Sequence, residues 1–361
     1  MTTPLARLLA ERIRTDGPLT VAAWMEQCLA HPEYGYYRRK DPLGASGDFT
    51  TAPEISQMFG EMIGLWLADI WARAGSRARV HYVELGPGRG TLARDALRAA
   101  AKFGLFPQVH LIEGSPALRS EQAKRTPEAI WHDDLSTVPT DAPILLVANE
   151  FLDALPVRQL VRTIDGWRER MVGIAGDAWS GGEDGGKLFV PLAGRQPMDG
   201  AVPEDLREAA VGTIIETSPA AATVLYEVGH RLTRQDGAAL FIDYGHAAPR
   251  TGSTLQAVRA HEKVDPFAAP GQADLTAHVD FAMMARIAQS CGARWLGTAR
   301  QGDWLRALGI EHRARALAAA APDHAEAAAA ALHRLTSPDE MGDLFKVMGL
   351  AGPSWPDGAG F

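Results

Sequence analysis

The chain has 361 residues, a formal net charge of −8, 46% hydrophobic residues and 22% charged residues. That length suits one large domain or two smaller ones, and the composition is that of an ordinary globular protein. The acidic balance argues against a nucleic-acid partner, which needs clustered Lys and Arg, and no apolar run reaches membrane-spanning length, so no membrane insertion is expected.

Met1 to Thr15 contain Arg7, Arg12 and Arg14 but also Glu11, and no apolar block of the kind a signal peptide carries. Cys28 and Cys291 match no metal spacing, no metal site is expected, and the pair suits a reducing, cytoplasmic setting. Val21, Trp24, Met25, Cys28 and Leu29 fall on one face of a helix, with Thr20 as its cap. A long Gly- and Pro-containing loop follows, from His31 to Phe49, and such loops are often lids. Thr51-Ala52-Pro53-Glu54 reads as a capping box opening a buried helix through Met58, Met62, Trp66 and Ile70. Residues 1–75 are thus expected to be an N-terminal helical lid segment, and 76–361 the core.

The core opens on Val80-His81-Tyr82-Val83-Glu84-Leu85-Gly86-Pro87-Gly88-Arg89-Gly90-Thr91. This is a buried strand, a glycine turn and a helix start. Glycines allow the unusual backbone angles of such a turn and let a ligand approach bare backbone. A plain strand-to-helix turn would carry them too. The dinucleotide fingerprint needs a small third residue, and Thr91 breaks it. The remaining pattern, acid-x-G-x-G-x-G, is that of S-adenosylmethionine (SAM) binding. There Glu84 would face the cationic end of the cofactor, and Gly86, Gly88 and Gly90 would pass beneath it.

A second strand, Gln108 to Ile112, ends at Glu113, placed to accept the ribose hydroxyls. Asp133 and Asp134, after a short strand at 129–132, are the expected neighbours of the adenine amino group. The strand Pro143 to Asn149 ends in Asn149-Glu150-Phe151-Leu152-Asp153, at the sheet edge where ligands bind. Asn149 is assigned to the cofactor, Glu150 and Asp153 to chemistry. The sequence lacks the Asn/Asp-Pro-Pro-aromatic motif of DNA amino-methyltransferases and the Pro-Cys nucleophile of cytosine-C5 enzymes.

Residues at about 157–215 alternate like antiparallel strands and are expected to form an insertion. Ala238 to His246 returns as a fifth parallel strand. A helix at 276–291, a strand at 294–299 and alanine-rich helices follow. Ser337-Pro338-Asp339-Glu340 is expected to cap a last helix running through Leu344, Phe345, Val347 and Met348. The alternation of strands and helices predicts an α/β, Rossmann-like doubly wound sheet.

Taken together, Gly47 to Glu54, Glu84 to Thr91, Asn149 to Pro156 and Phe241 to Gly245 resemble the MidA-like family, in the right order across nearly the whole chain. That family contains the mitochondrial arginine methyltransferase that assists assembly of respiratory complex I. The resemblance implies a class I SAM-dependent methyltransferase fold, with S-adenosylhomocysteine as the cofactor product. It also implies a protein substrate and symmetric dimethylation of an arginine on a 49-kDa-type subunit of NADH:ubiquinone oxidoreductase. The absence of a presequence pattern suggests a bacterial, cytoplasmic member.

Methyl transfer needs its reactants held in line, and a guanidinium stays protonated, so an arginine methyltransferase needs carboxylates to grip the cation and take its proton. Glu150 and Asp153 are three residues apart and would share a face of a helical turn. Asp48 and Glu54, from the N-terminal loop, are further candidates for the catalytic site. Glu54 also reads as a capping-box acid and Asp153 as a first-turn acid. Two alternatives accompany this reading: a SAM-binding assembly factor without turnover, and an NAD-dependent oxidoreductase.

Overall fold

The computed structural model describes residues 3–38, 51–175 and 188–361. They form two compact units, one from Met1–Phe49, Ala154–Ala221 and Pro249–His278, the other from Thr50–Asp153, Ala222–Ala248 and Val279–Phe361.

The second unit carries the central sheet. Its strands are β1 (His81–Leu85), β2 (Gln108–Ile112), β3 (Ile130–His132), β4 (Ile144–Asn149), β5 (Gly237–His246), β6 (Val279–Asp280), β7 (Arg294–Arg300) and β8 (Phe345–Ala351). Their order is β7-β8-β5-β4-β1-β2-β3, with β6 beside the end of β5. The pairs β1–β2, β2–β3, β1–β4, β4–β5 and β5–β6 are parallel, and β8 runs antiparallel to β5 and β7. This is the doubly wound class I arrangement. The run of strands reverses at β1, which neighbours both β2 and β4. Ligands bind at the carboxyl ends of strands beside such a reversal. Every residue of β1 and β4 is buried, which explains why these strands read as unbroken apolar runs rather than alternating ones.

The expected last helix is instead strand β8. Its residues Phe345, Val347, Met348, Leu350 and Ala351 are buried, and it pairs residue by residue with β5 from Tyr244 to Ala238. Only a four-residue helix, Met341–Leu344, precedes it. The apolar residues fit either period locally, and pairing with β5 decides for strand. The expected capping box at Thr51 is likewise absent: Thr51 makes no side-chain cap bond. The chain forms a short helix α1 (Ala52–Ile55), breaks at Ser56, and restarts as α2 (Gln57–Arg73), capped by the Ser56 hydroxyl 3.2 Å from the Met58 amide. The expected helix at 276–291 is trimmed to Phe281–Ser290 by β6.

The first unit groups the N-terminal helices with the antiparallel strands, so the packing does not divide the chain at residue 75. Leu19–Thr20, Gly166–Ile174, Arg158–Thr163 and Ile214–Thr217 lie in that order in one sheet, with Phe189–Pro197 beside Gly166–Ile174. Helices Pro4–Asp16 and Val21–Ala30 bring Leu5, Leu9, Trp24 and Met25 into one core with Val172, Phe189 and Phe267. No helix among the described residues is long and apolar enough to cross a membrane.

Two features of the second unit bear on its stability. Helix α2 crosses α3 (Thr91–Ala101) at very short range: a Cβ on Gly64 would lie 2.2 Å from the Ala96 carbonyl oxygen, and one on Gly60 2.7 Å from Asp95 Cβ. Gly64→Ala is therefore expected to destabilise the protein by about 1–3 kcal/mol despite alanine's better helix propensity, seen as a lower urea midpoint at unchanged slope.

The second feature is a chain of buried histidines on one face of β1, β2 and β3. His81 Nε2 lies 2.8 Å from Asp141 Oδ1, His81 Nδ1 3.1 Å from His110 Nε2, and His110 Nδ1 2.9 Å from His132 Nε2. His132 Nδ1 lies 2.7 Å from the Thr137 hydroxyl. Burial, then the neighbouring His81 and His132, hold His110 down at about 4. A histidine neutral in the fold but protonated when unfolded destabilises the fold in acid. Its stabilisation is complete above about pH 6.5 and is lost as pH falls toward 4. In urea titrations across this window, His110→Gln is expected to flatten the acid loss relative to the parent protein.

Candidate active site at the carboxyl ends of the central strands

The glycine turn leaves β1 with Gly86, Gly88 and Gly90 at φ +61°, +53° and +79°. A Cβ on Gly86 would sit 2.8 Å from the Phe151 ring, so the missing side chain lets the turn after β4 close against the turn after β1. Gly90 is the left-handed cap of α3 and contributes no side chain, which leaves the helix's first amides for other partners. The Thr91 hydroxyl donates to Glu54 Oε1 at 2.5 Å. The residue that breaks the dinucleotide fingerprint thus holds Glu54, which has no capping-box role.

On the side assigned to the cofactor, Glu84 is 2% exposed and accepts the Tyr82 hydroxyl at 2.6 Å. Burial pushes its carboxyl up to about 7, against the pull of Tyr82. Glu113 Oε1 accepts the Ser115 amide at 2.7 Å, and its Oε2 lies 3.3 Å from Gln122 Nε2. Burial raises Glu113 as well, with those donors opposing it. Gln122, fully buried on α4 (Pro116–Ala123), also donates to the Gly88 carbonyl at 2.7 Å and accepts the Trp131 indole N–H at 2.8 Å. One side chain thus ties the glycine turn to Glu113. Gln122 went unnoticed in the sequence because a lone polar residue on a short helix carries no pattern.

Asp133 and Asp134 are exposed. Asp133 pairs with Arg119 at 2.5 Å, and Asp134 caps the turn Leu135–Thr137 through the Ser136 amide at 2.8 Å. Asn149 is buried at the end of β4. Its Nδ2 donates to Glu150 Oε1 at 3.1 Å, while its Oδ1 has no hydrogen-bond partner among the described residues.

The acceptor side is acidic. Glu150 takes a left-handed φ of +49°, rare for a residue with a side chain, and its Oε1 accepts the Ala52 amide at 2.9 Å. Asp153 is 5% exposed and Asp243, on β5, is 1% exposed. Asp243 Oδ2 accepts three successive amides, from Phe151 at 3.2 Å, Leu152 at 3.0 Å and Asp153 at 3.2 Å, while Oδ1 accepts the Tyr244 amide at 2.9 Å. Burial, then the charges of Asp153 and Glu150, push Asp243 well above the usual carboxylate range. Asp243 was not among the expected site residues, although an acid inside the apolar run Leu240-Phe241-Ile242 to Tyr244 was the signal available. Asp48 lies outside the described residues.

Comparison with known proteins bears on what this arrangement holds. A family model described as an S-adenosyl-L-methionine-dependent methyltransferase matches residues 62–299. A mitochondrial protein of Drosophila melanogaster named as a protein arginine methyltransferase NDUFAF7 homolog is 35% identical over 378 residues, covering 96% of this chain and 84% of its own. The Mus musculus protein arginine methyltransferase NDUFAF7 is 36% identical over 380 residues, with 96% and 84% covered. A crystal structure from Burkholderia thailandensis bound to S-adenosyl-homocysteine is 30% identical with a TM-score of 0.81, covering 96% of this chain and 91% of that one.

The residues here fit such a cofactor. SAM brings a cationic amine, ribose hydroxyls and a sulfonium. The site offers the buried acceptor Asn149 Oδ1, the half-buried carboxylate Glu113 and the side-chain-free turn Gly86–Gly90. Glu84 carries a cost in the unliganded fold. A carboxyl raised from 4.5 to about 7 stabilises the fold while protonated, and that stability is lost as pH rises through 7. Glu84→Gln keeps the Tyr82 bond and removes the charge. It is expected to stabilise the unliganded protein at pH 8 by at most about 3 kcal/mol and to be neutral at pH 4. It should also weaken SAM binding, to be read by calorimetry on the same samples.

Proposed function

The chain belongs to the S-adenosyl-L-methionine-dependent methyltransferase family, and from that premise we propose that it transfers methyl groups to an arginine of a protein substrate. The observation that carries this reading is the gathering of Glu150, Asp153 and Asp243 at the ends of β4 and β5, beside the glycine turn. Half-buried Glu150 and buried Asp153 put two carboxylates at one place, with Asp243 behind them, a setting that favours a cation. A guanidinium meets that need with a planar fork of donors suited to carboxylate oxygens. The names of the fly and mouse relatives support the same substrate class.

SAM, when bound, supplies an electrophilic methyl group and would leave as S-adenosylhomocysteine as its methyl–sulfur bond breaks. The chain's own residues do the rest. The Gly86–Gly90 turn, Asn149 and Glu84 would hold the methionine end, Glu113 the ribose, and Asp133 and Asp134 would serve the adenine end. Glu150 and Asp153 would grip the guanidinium and align one nitrogen. As the N–C bond forms, that nitrogen loses a proton, and Glu150 is the proposed acceptor. The Ala52 amide and Asn149 Nδ2, both on Oε1, orient the carboxylate for this task. Glu54, held by Thr91, lies at the start of the helix pair α1–α2 that delivers Ala52. Asp48 is proposed to act from the same N-terminal segment.

The finer reading is symmetric dimethylation of an arginine on a 49-kDa-type subunit of NADH:ubiquinone oxidoreductase, or its bacterial counterpart. The NDUFAF7 name of the relatives supports it. The buried free thiols Cys28 and Cys291 suit the cytoplasm as the place of action. Mass spectrometry of arginine methylation in cells with and without the gene tests the target, and loss of a dimethylarginine from that subunit is the expected result.

A second reading of Glu150 rests on its bond to the Ala52 amide, by which it would serve as a structural carboxylate alone. Glu150→Gln separates the two. General-base loss is expected to cut single-turnover methylation by about 10²-fold or more at nearly unchanged SAM affinity. A structural role would instead lower Tm and leave turnover per folded molecule intact. Full single-turnover activity at normal affinity would end the catalytic assignment.

A further inference from the structure

The group of the acidic cluster to which neither cofactor binding nor proton transfer assigns a task is Asp243. It lies on β5, is 1% exposed, and faces main chain rather than open space. Its Oδ2 collects the amides of Phe151, Leu152 and Asp153, and its Oδ1 the amide of Tyr244. Three successive amides converge on one oxygen only if the backbone curls around it. That curl begins at Glu150, whose amide donates to the Ile242 carbonyl at 2.9 Å and whose φ is +49°. A left-handed conformation at a residue with a side chain costs free energy and persists only when its surroundings impose it. Here the imposing group is a carboxylate anchored on the neighbouring strand, 90 to 92 residues away from the amides it binds.

We infer that Asp243 is the positioning residue of the methyl-acceptor site. It bends the turn after β4 so that Glu150 and Asp153 are presented together. The inference deepens the arginine-methyltransferase reading and rests on it. Two consequences follow from the geometry. Aim is lost if the three-amide anchor is lost, because one carboxylate oxygen holds the amides of Phe151, Leu152 and Asp153 together. Methyl transfer should also fall in molecules that remain folded, since the anchor sets where Glu150 and Asp153 lie. Burial, then the acidic neighbours Asp153 and Glu150, hold Asp243 well above the usual carboxylate range.

The test uses full-length Asp243→Asn, with Asp243→Ser as the second variant should the first fail to fold. Three readings are taken: S-adenosylhomocysteine affinity by calorimetry, Tm, and the rate per folded molecule of single-turnover transfer of labelled methyl from SAM to a lysate lacking this gene. The expected result is S-adenosylhomocysteine affinity within about twofold of the parent and a rate at least about tenfold lower, the scale of one lost hydrogen bond to a charged group. That lower rate should persist when it is expressed per folded molecule. A purely structural loss would lower Tm and leave the rate per folded molecule at the parent value, and that result overturns the inference. So does unchanged transfer at normal affinity, or loss of S-adenosylhomocysteine binding in both variants, since Asp243 would then act on the cofactor half. Absence of any transfer by the parent protein, with S-adenosylhomocysteine still bound, would instead sink the arginine-methyltransferase reading on which the inference stands.

Discussion

Because Gly86 has no Cβ, the Phe151 ring can occupy the space above it, and the turns that leave β1 and β4 can meet at the reversal point of the sheet. Everything at the site follows from that approach. The glycine turn presents bare backbone on one side. On the other, Glu150, Phe151, Leu152 and Asp153 curl around the carboxylate of Asp243. A side chain at Gly86 would separate the two halves of the site by pushing Phe151 outward.

The site concentrates negative charge where water is scarce. Glu84, Asp153 and Asp243 are all less than 6% exposed. Charges taken out of water are costly unless hydrogen bonds or a counter-ion compensate them. Asp243 is compensated by four amides, and Glu84 accepts the Tyr82 hydroxyl while burial pushes its carboxyl up to about 7. Burial of Glu84 therefore costs the unliganded fold electrostatic free energy that a cationic cofactor would offset. Stability and function pull in opposite directions here, as is common at sites built to bind charge.

The scaffold around these groups is rigid for identifiable reasons. Gly60 and Gly64 bring α2 against α3 at a distance that no other residue permits, and this fixes the helix that follows Glu54 relative to the helix that starts at Thr91. Gln122 links α4, the glycine turn and Glu113 through both ends of its amide. The histidine chain joins β1, β2 and β3 on a single face and ends at the turn bearing Asp134. Polar networks of this kind specify one arrangement when every member is satisfied.

What the sequence alone determined were the features whose cause is local. Buried parallel strands appeared as continuous apolar runs, the turn after β1 as alternating glycines, and the candidate carboxylates as acids at strand ends. These rest on periods of two and 3.6 residues and on the backbone freedom of glycine. Tertiary structure decided whatever depends on partners distant in the chain. Phe345–Ala351 is a strand because β5 offers an edge, although its pattern also suits a helix. Glu54 bonds Thr91 across 37 positions and not its own helix end, and Asp243 binds Leu152 across 91. The N-terminal helices share a core with strands beyond residue 157. No local period encodes such pairs, because their free energy arises only when packing removes water from both partners at once.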